Sequence, residues 1–367
     1  MDFDFNDDQK ELRSQASRFL ADNCGLTTPR RVLEGGEPYA QDLWQGLAEQ
    51  GWMGTAIPEE YGGVGFGYLE LCVLAEELGR VCAPVPFSSS IYLAAEAILH
   101  GGTDAQKEQW LPKFASGEAI GTLAISEGTH TATPSNLTVS FDGKTLNGKK
   151  IPVIDGDVAH VGIVVAKGSN GPVLALVDLN AKGVSREGVD TVDPTRSQAA
   201  IAFKDAPAEP LGTSDWSTLE LVLNRAAVLY AFEQLVGADA TLRQARTYSL
   251  ERFAFGRAIG SFQALKHRMS EMYVKNELAR SNCFYGAWAL ATESDELPQA
   301  AAGARVSATQ AYHYGAKENI QIHGGIGFTW EADCQFFYRR SKLLGLILGS
   351  ELQWKEKLIT SLETATV

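Results

Sequence analysis

Basic residues are in short supply. Lys and Arg number 32 against 45 Asp and Glu in 367 residues, a formal net charge of -13. This argues against a broad polyanion-binding face, so nucleic acid is not an expected partner, though a few local Arg and Lys could still hold a small anion. Cysteine is sparse and scattered: Cys24, Cys72, Cys82, Cys283 and Cys334 form no CxxC pair and no dense framework. Neither a metal site nor a secreted disulfide scaffold is expected, and the thiols read as reduced and buried in a cytoplasmic protein. No apolar run reaches 18 residues, so no membrane span is expected. The nearest, Leu219 to Leu235, is interrupted by Glu220, Asn224, Arg225, Glu233 and Gln234 and reads as a helix buried among helices. The opening MDFDFNDDQKELRSQ is acidic and polar, unlike a signal or transit peptide.

What remains is an ordinary globular composition, 45% hydrophobic and 21% charged, in a chain long enough for two or three packed units. Asp7 and Asp8 precede Leu12, Ala16, Phe19 and Leu20, which share one helix face. Leu43, Leu47 and Trp52 continue the pattern until the glycine-rich turn Pro58 to Gly65. Tyr68 to Leu78 resumes as helix, with Gly79 as its stop. A short helix opens at Asp104, bounded by Pro112 and Gly117. From about residue 121 the texture changes. Leu137, Val139 and Phe141 alternate before the turn signal Asp142-Gly143, and Val161 to Ala166, Val173 to Val177 and Ile201 to Phe203 are short β-type runs. Helical patterns return over roughly 217–250, 262–297, 299–321 and 335–362, with Phe262, Trp288 and Tyr312 as core aromatics. The expected fold is α+β: an N-terminal helical domain over 1–120, an antiparallel β-barrel or sandwich over 121–212, and a C-terminal four-helix bundle over 213–367.

Several segments, in this order, carry a resemblance. Ile57-Pro58-Glu59-Glu60-Tyr61-Gly62-Gly63 is followed by Gln106-Lys107, Leu111-Pro112 and Ser116-Gly117-Glu118. Then come Glu251-Arg252-Phe253-Ala254-Phe255-Gly256, Ile259-Gly260-Ser261-Phe262-Gln263 and Gln321-Ile322-His323-Gly324-Gly325-Ile326-Gly327. Together they resemble the acyl-CoA dehydrogenase family across nearly the whole chain, including its Arg-x-x-Phe-Gly and Gln-x-x-Gly-Gly-x-Gly signatures. The resemblance implies FAD between the β domain and the C-terminal helices, with a neighbouring subunit covering its ADP portion. It implies a tetramer, an acyl-CoA substrate, an electron-transferring flavoprotein as acceptor, and a glutamate that removes the α-proton while the flavin takes hydride from the β-carbon.

The residue chemistry suits such a cofactor. Arg252 offers a planar fork of donors for a pyrophosphate. Gly324 and Gly325 let backbone N–H groups approach closely. Gln263 and Gln321 can hydrogen-bond ribityl or adenosine groups, Phe255 can pack on the cofactor, and Ser126 keeps a hydroxyl in the β domain. The plainer alternatives are an exposed helix charge for Arg252, a helix-to-helix turn for Gly324-Gly325 and a hydrogen-bonded structural histidine for His323.

Three departures from the family stand out. Leu348 occupies the place of the usual glutamate in Arg339-Arg340-Ser341-Lys342 to Ser350, and an apolar side chain cannot accept a proton. The alternative base position on the first long C-terminal helix falls near Arg225, Ala226 or Ala227, none of them acidic, which leaves Glu351, Glu220 and Glu233 as candidates for a relocated base. In the β domain, Ile125-Ser126-Glu127-Gly128-Thr129-His130-Thr131-Ala132-Thr133 lacks the usual Gly-Ser-Asp turn, and Lys150-Ile151-Pro152-Val153-Ile154 lacks the usual Trp and Thr. The residues facing the neighbour are kept. The pattern resembles the non-catalytic subunit of heterotetrameric steroid-CoA dehydrogenases, which completes a partner's FAD site. Two alternatives stay open at this point: a self-sufficient homotetramer with a relocated base, and a non-redox CoA-ester binding or scaffold protein.

Overall fold

The computed structural model describes residues 5–365. Its elements in chain order are α1 (Asp7–Asn23), α2 (Thr27–Gly35), α3 (Gln41–Glu49), α4 (Tyr68–Arg80), a π-helical stretch Ser88–Ala95 running into α5 (Glu96–Gly101), and α6 (Asp104–Ala115). Eight strands follow: β1 (Gly121–Ala124), β2 (Ser140–Phe141), β3 (Thr145–Ile154), β4 (Val161–Gly168), β5 (Gly171–Asp178), β6 (Val184–Gly188), β7 (Gln198–Pro207) and β8 (Glu209–Pro210). The C-terminal part holds α7 (Trp216–Glu251), the small strands β9 (Phe253–Ala254) and β10 (Arg257–Ala258), α8 (Gln263–Ala291), α9 (Leu297–His323), α10 (Cys334–Leu346) and α11 (Glu351–Ala365). The chain groups into two units. A helical unit takes residues 1–29, 68–83 and 227–367, and a sheet unit takes 30–67 and 84–226.

In the helical unit, α1 starts at a capping box in which Asn6 and Gln9 satisfy each other's backbone N–H groups. Its buried face, Ala16 and Leu20, packs on α4, and Arg13 reaches across to Glu76 at 2.5 Å. The α8–α9 seam is close because α9 presents Ala300, Ala301, Ala304, Ala308 and Ala311, all buried. Gly79 does not stop α4, which continues to Arg80. A Cβ at Gly79 would stand 2.2 Å from the carbonyl oxygen of Glu233, so the glycine admits α7 at contact distance. The expected helix over 335–362 is two helices, parted at Ile347–Ser350 around Gly349, whose φ of +99° a side chain would strain. Of the three expected core aromatics only Tyr312 is buried; Phe262 and Trp288 lie half-exposed at the edges of α8.

In the sheet unit the strand order is β6-β7-β3-β2-β4-β5-β8, with β1 added on β4. Most pairs are antiparallel, as expected, but β1 and β2 run parallel to β4. The stretch between β1 and β4 is long enough for the crossover that a parallel pair requires. Leu137 and Val139 are buried but lie outside β2, because the Glu127 carboxylate takes the N–H groups of Thr138 and Val139. Pro112 lies within α6, one turn from its end.

Every cysteine is a buried free thiol. Among the described residues no helix is long and apolar enough to cross a membrane, and no cluster of His, Cys, Asp and Glu could hold a metal.

Candidate functional site

At one end of the helical unit, three segments converge on a shared core. Ala245, Met272 and Ile322 form its centre, with Tyr248 and Leu265 packed against it. Tyr248 stacks on His323 with ring centroids 4.2 Å apart, and the His323 ring is fixed by a 2.8 Å contact from Nδ1 to the Asn319 carbonyl. That is the structural histidine the sequence suggested. Arg252 follows Tyr248 by one turn, and its N–H donates to the Tyr248 carbonyl at 2.9 Å. Gln263 opens α8 two residues before Leu265, and Gln321 and Gly324 flank Ile322 and His323. The core therefore brings Arg252, Gln263, Gln321, Gly324 and Gly325 to one end of the unit.

Between Arg252 and Gln263 the chain forms a tight hairpin. Phe255 and Gly256 both take positive φ, +54° and +78°, the backbone of a two-residue hairpin turn whose twist matches its strands. The Ile259 N–H donates to the Arg252 carbonyl at 2.8 Å and closes it. The turn pushes Phe255 out to 94% exposure. Phe253, Ile326 and Phe328 are exposed as well. So large an apolar display is uncommon on a surface that stays wet.

Among the described residues, the side chains of Arg252, Gln263 and Gln321 make no hydrogen bond or ion pair, and all three are exposed. A Cβ at Gly324 or Gly325 would meet nothing within 4 Å, so the backbone faces open space. An unpaired guanidinium, two carboxamides, two glycines bordering open space and a projecting phenyl ring fit the pyrophosphate, ribose and adenine of a dinucleotide.

The sheet unit carries a different arrangement. Lys150 is fully buried on β3, its Nζ donating 2.7 Å to Glu127 and 2.9 Å to the Ile125 carbonyl. Glu127 also accepts from Thr138 N–H and Oγ1 and from Val139 N–H. Burial works to raise its pKa, but these donors outweigh it and hold the carboxyl at about 2. For Lys150 burial dominates and lowers the pKa, with Glu127 opposing. The ends differ because Lys150 is sealed while Glu127 meets several donors and some water. The Ile151 N–H donates to the Ser126 carbonyl and the Gly128 N–H to the Ile151 carbonyl, which ties the 126–128 loop to β3. Pro152 is tolerated because the β3–β7 register shifts between Lys150 and Val153, where no ladder donor is required. The Ser126 hydroxyl is free among the described residues, and it is the one donor retained from the expected flavin-facing set. Sequence reading missed the Lys150–Glu127 pair. Its one signal was parity, since Lys150 shares the inward side of β3 with Leu146.

No candidate base stands ready. Leu348 sits half-buried in the break between α10 and α11, its carbonyl accepting from the Trp354 indole at 3.1 Å. Glu351 takes Lys355 at 2.6 Å and Gln310 at 2.7 Å. Burial would raise its pKa, but these two bonds hold it low. Glu233 is buried against Arg340, which also reaches the Cys82 and Ala83 carbonyls. Glu220, in the sheet unit, is exposed and accepts from its own helix's Trp216. Of Arg225, Ala226 and Ala227, near which the alternative base position was expected, Arg225 is buried and donates to Glu96 at 2.6 Å, and both alanines are buried. Of the candidates, Glu351 and Glu233 belong to the helical unit and Glu220 to the sheet unit.

Known proteins share the architecture of this chain. The family model of the acyl-CoA dehydrogenase N-terminal domain matches residues 6–118, and that of the C-terminal domain matches residues 216–354. The chain is similar to the acyl-CoA dehydrogenase IpdE2 of Mycobacterium tuberculosis, 30% identical over 336 residues that cover 91% of each chain. In structure it is similar to a variant of the Tcur3481–Tcur3483 steroid ACAD, 29% identical with a TM-score of 0.89 over 98% of this chain and 99% of that one. It is also similar to butyryl-CoA dehydrogenase of Megasphaera elsdenii, 25% identical with a TM-score of 0.91 over 99% of this chain and 100% of that one. The chain belongs to the acyl-CoA dehydrogenase family, oxidoreductases that act on acyl-CoA with FAD.

Proposed function

We propose that this chain is the subunit of a heteromeric acyl-CoA dehydrogenase that completes a partner's FAD site without supplying the catalytic base. The observation that carries this reading is an asymmetry. Leu348 stands at the position of the base, and Arg225, Ala226 and Ala227, none of them acidic, stand near the alternative one. Meanwhile the side chains of Arg252, Gln263 and Gln321 remain exposed with no partner among the described residues, and Gly324 and Gly325 border open space.

On this reading the cofactor supplies the hydride acceptor for α,β-dehydrogenation. Arg252 neutralises pyrophosphate charge, the two glutamines hydrogen-bond sugar or base, and Phe255 covers an apolar ring face and excludes water there. The proton acceptor for the substrate's α-carbon comes from the partner subunit. Electrons leave through an electron-transferring flavoprotein. The substrate class is the CoA ester of a steroid-derived acyl chain. Similarity to a steroid ACAD named as a pair, Tcur3481–Tcur3483, supports both the second subunit and that class.

The test is to express the chain alone and with a second family member that has the glutamate, then measure flavin content and acyl-CoA dehydrogenation. The expected result is little flavin and no turnover for the lone chain, with both appearing in the complex. Full flavin occupancy and turnover by the lone chain would overturn the proposal.

A further inference from the structure

We propose that the helical unit binds a dianionic tetrahedral oxyanion, as presented by sulfate or a phosphate group, in a depression between α8, α9 and the start of α11. The depression measures about 400 Å³ and is lined by Lys275 of α8, Gln310, His313, Tyr314 and Lys317 of α9, and Glu351 of α11. The α9 residues recur every three or four positions, so one face of that helix forms the floor.

Positive charge outweighs negative here, with Lys275, Lys317 and the adjoining Lys342 against one lining carboxylate, Glu351. Lys275 and Lys317 line the depression, and Lys342 of α10 places Nζ 3.0 and 3.1 Å from the ring nitrogens of His313. Among the described residues none of these lysines pairs with a carboxylate. Lys275 lies over the Tyr314 ring at 5.2 Å and Lys342 over the Tyr338 ring at 4.9 Å. The acidic groups here and nearby already have partners: Glu351 has Lys355 and Gln310, Glu271 the Tyr314 hydroxyl, and Glu318 Arg268. In a chain of net charge -13, converging ammonium groups left unpaired form a local anion trap.

His313 reports the same field. Burial, Lys342 and Lys317 depress its pKa, and Glu351 only partly opposes them. An arriving dianion reverses the local potential, so the imidazole gains a proton on binding. Affinity for sulfate, whose charge is constant between pH 5 and 8, should therefore rise as the pH falls. The volume exceeds what a bare oxyanion fills, which leaves room for an organic group bearing the phosphate.

The depression shares no lining residue with the dinucleotide-binding set and does not depend on the proposed subunit role, so a binding titration tests it separately from turnover. Calorimetric titration of the chain in its assembled complex would use sulfate, inorganic phosphate and adenosine 3′,5′-bisphosphate, at ionic strength held constant with chloride. Sulfate is expected to bind one site per chain, with affinity rising from pH 8 to pH 6. Lys275→Gln and Lys317→Gln should each weaken binding about tenfold, and His313→Gln should flatten the pH dependence. Tighter binding of the bisphosphate than of inorganic phosphate would identify a phosphate ester as the occupant, and equal affinity would identify the free ion. Because Lys317 is exposed, Lys275 is half-buried and neither pairs with a carboxylate among the described residues, the variants should keep the parent Tm. Sulfate behaving like chloride, or binding unchanged in the Lys275→Gln/Lys317→Gln double variant, would overturn the proposal.

Discussion

Lys150 and Glu127 meet at 2.7 Å, with the ammonium fully buried and the carboxylate anchoring the loop that leads into β2. Removing the acid with Glu127→Ala strands a charge in the sheet and releases the N–H groups of Thr138 and Val139. The expected loss is about 3–5 kcal/mol, the range for breaking one side of a buried pair, read from the midpoint of urea unfolding. Glu127 titrates near 2 in the fold and near the ordinary glutamate value when unfolded. Its contribution is therefore present above about pH 4.5 and fades as the pH falls towards 2. An acid-unfolding curve unchanged in Glu127→Gln would contradict this.

Glu76 behaves in the opposite sense. One carboxylate oxygen takes Arg13 at 2.5 Å, and the other is buried with no partner. Burial raises its pKa to about 7, against Arg13, Arg280 and Arg80. The unfolded chain releases this proton near pH 4.5 and the folded chain only near 7, so stability declines as pH rises between those values. Glu76→Gln should remove that slope and stabilise the protein at pH 8 by roughly 1–3 kcal/mol, since each tenfold change in proton affinity is worth about 1.4 kcal/mol. Thermal melts from pH 5 to 8 would show it.

Arg252→Ala should leave stability within about 0.5 kcal/mol, since the side chain is exposed and unpaired. Flavin retention by the assembled enzyme should fall by at least about tenfold, the equivalent of one lost charge-assisted hydrogen bond. The ratio of flavin absorbance to protein after gel filtration measures this.

Turnover of the assembled enzyme should survive Glu351→Gln and Glu220→Gln within about twofold, because one carboxylate is tied to Lys355 and Gln310 and the other to Trp216. Steady-state rates with an acyl-CoA and a dye acceptor would check this. A loss of about a hundredfold or more in either variant, the scale of removing a general base, would restore that residue as a relocated base.

Gly79→Ala should destabilise the helical unit by at least about 1–3 kcal/mol, the usual range for overpacking. The added methyl would sit 2.2 Å from the Glu233 carbonyl, where a backbone must move to make room. Chemical denaturation measures the change.

The order of helices, strands and helices was legible because each pattern repeats over many residues, as in Val161 to Ala166 or the long run of α7. The convergence of Arg252, Gln263, Gln321 and Gly324 was legible too, because short local motifs carry it. What escaped detection depends on contacts distant in sequence. Gly79 looked like a helix stop because its reason, the Glu233 carbonyl, lies on another helix. The π-helical stretch Ser88–Ala95, which opens on three serines and is wholly buried, carries no sequence pattern that marks it. Around it, Ser88, Ser89, Asp155 and Arg196 form a hydrogen-bonded cluster that no linear spacing announces. The depression at Lys275 and Lys317 draws on three helices and was equally hidden.

The break between α10 and α11 is fastened by main-chain atoms and neighbours. The Leu348 carbonyl takes the Trp354 indole, Ser350 and Gln353 exchange hydrogen bonds, and Gly349 supplies the left-handed turn. None of these fastenings uses the side chain at 348. Selection for folding and selection for chemistry thus act on different atoms of the same short segment. The side chain at 348 can therefore change without rebuilding the frame that holds this segment.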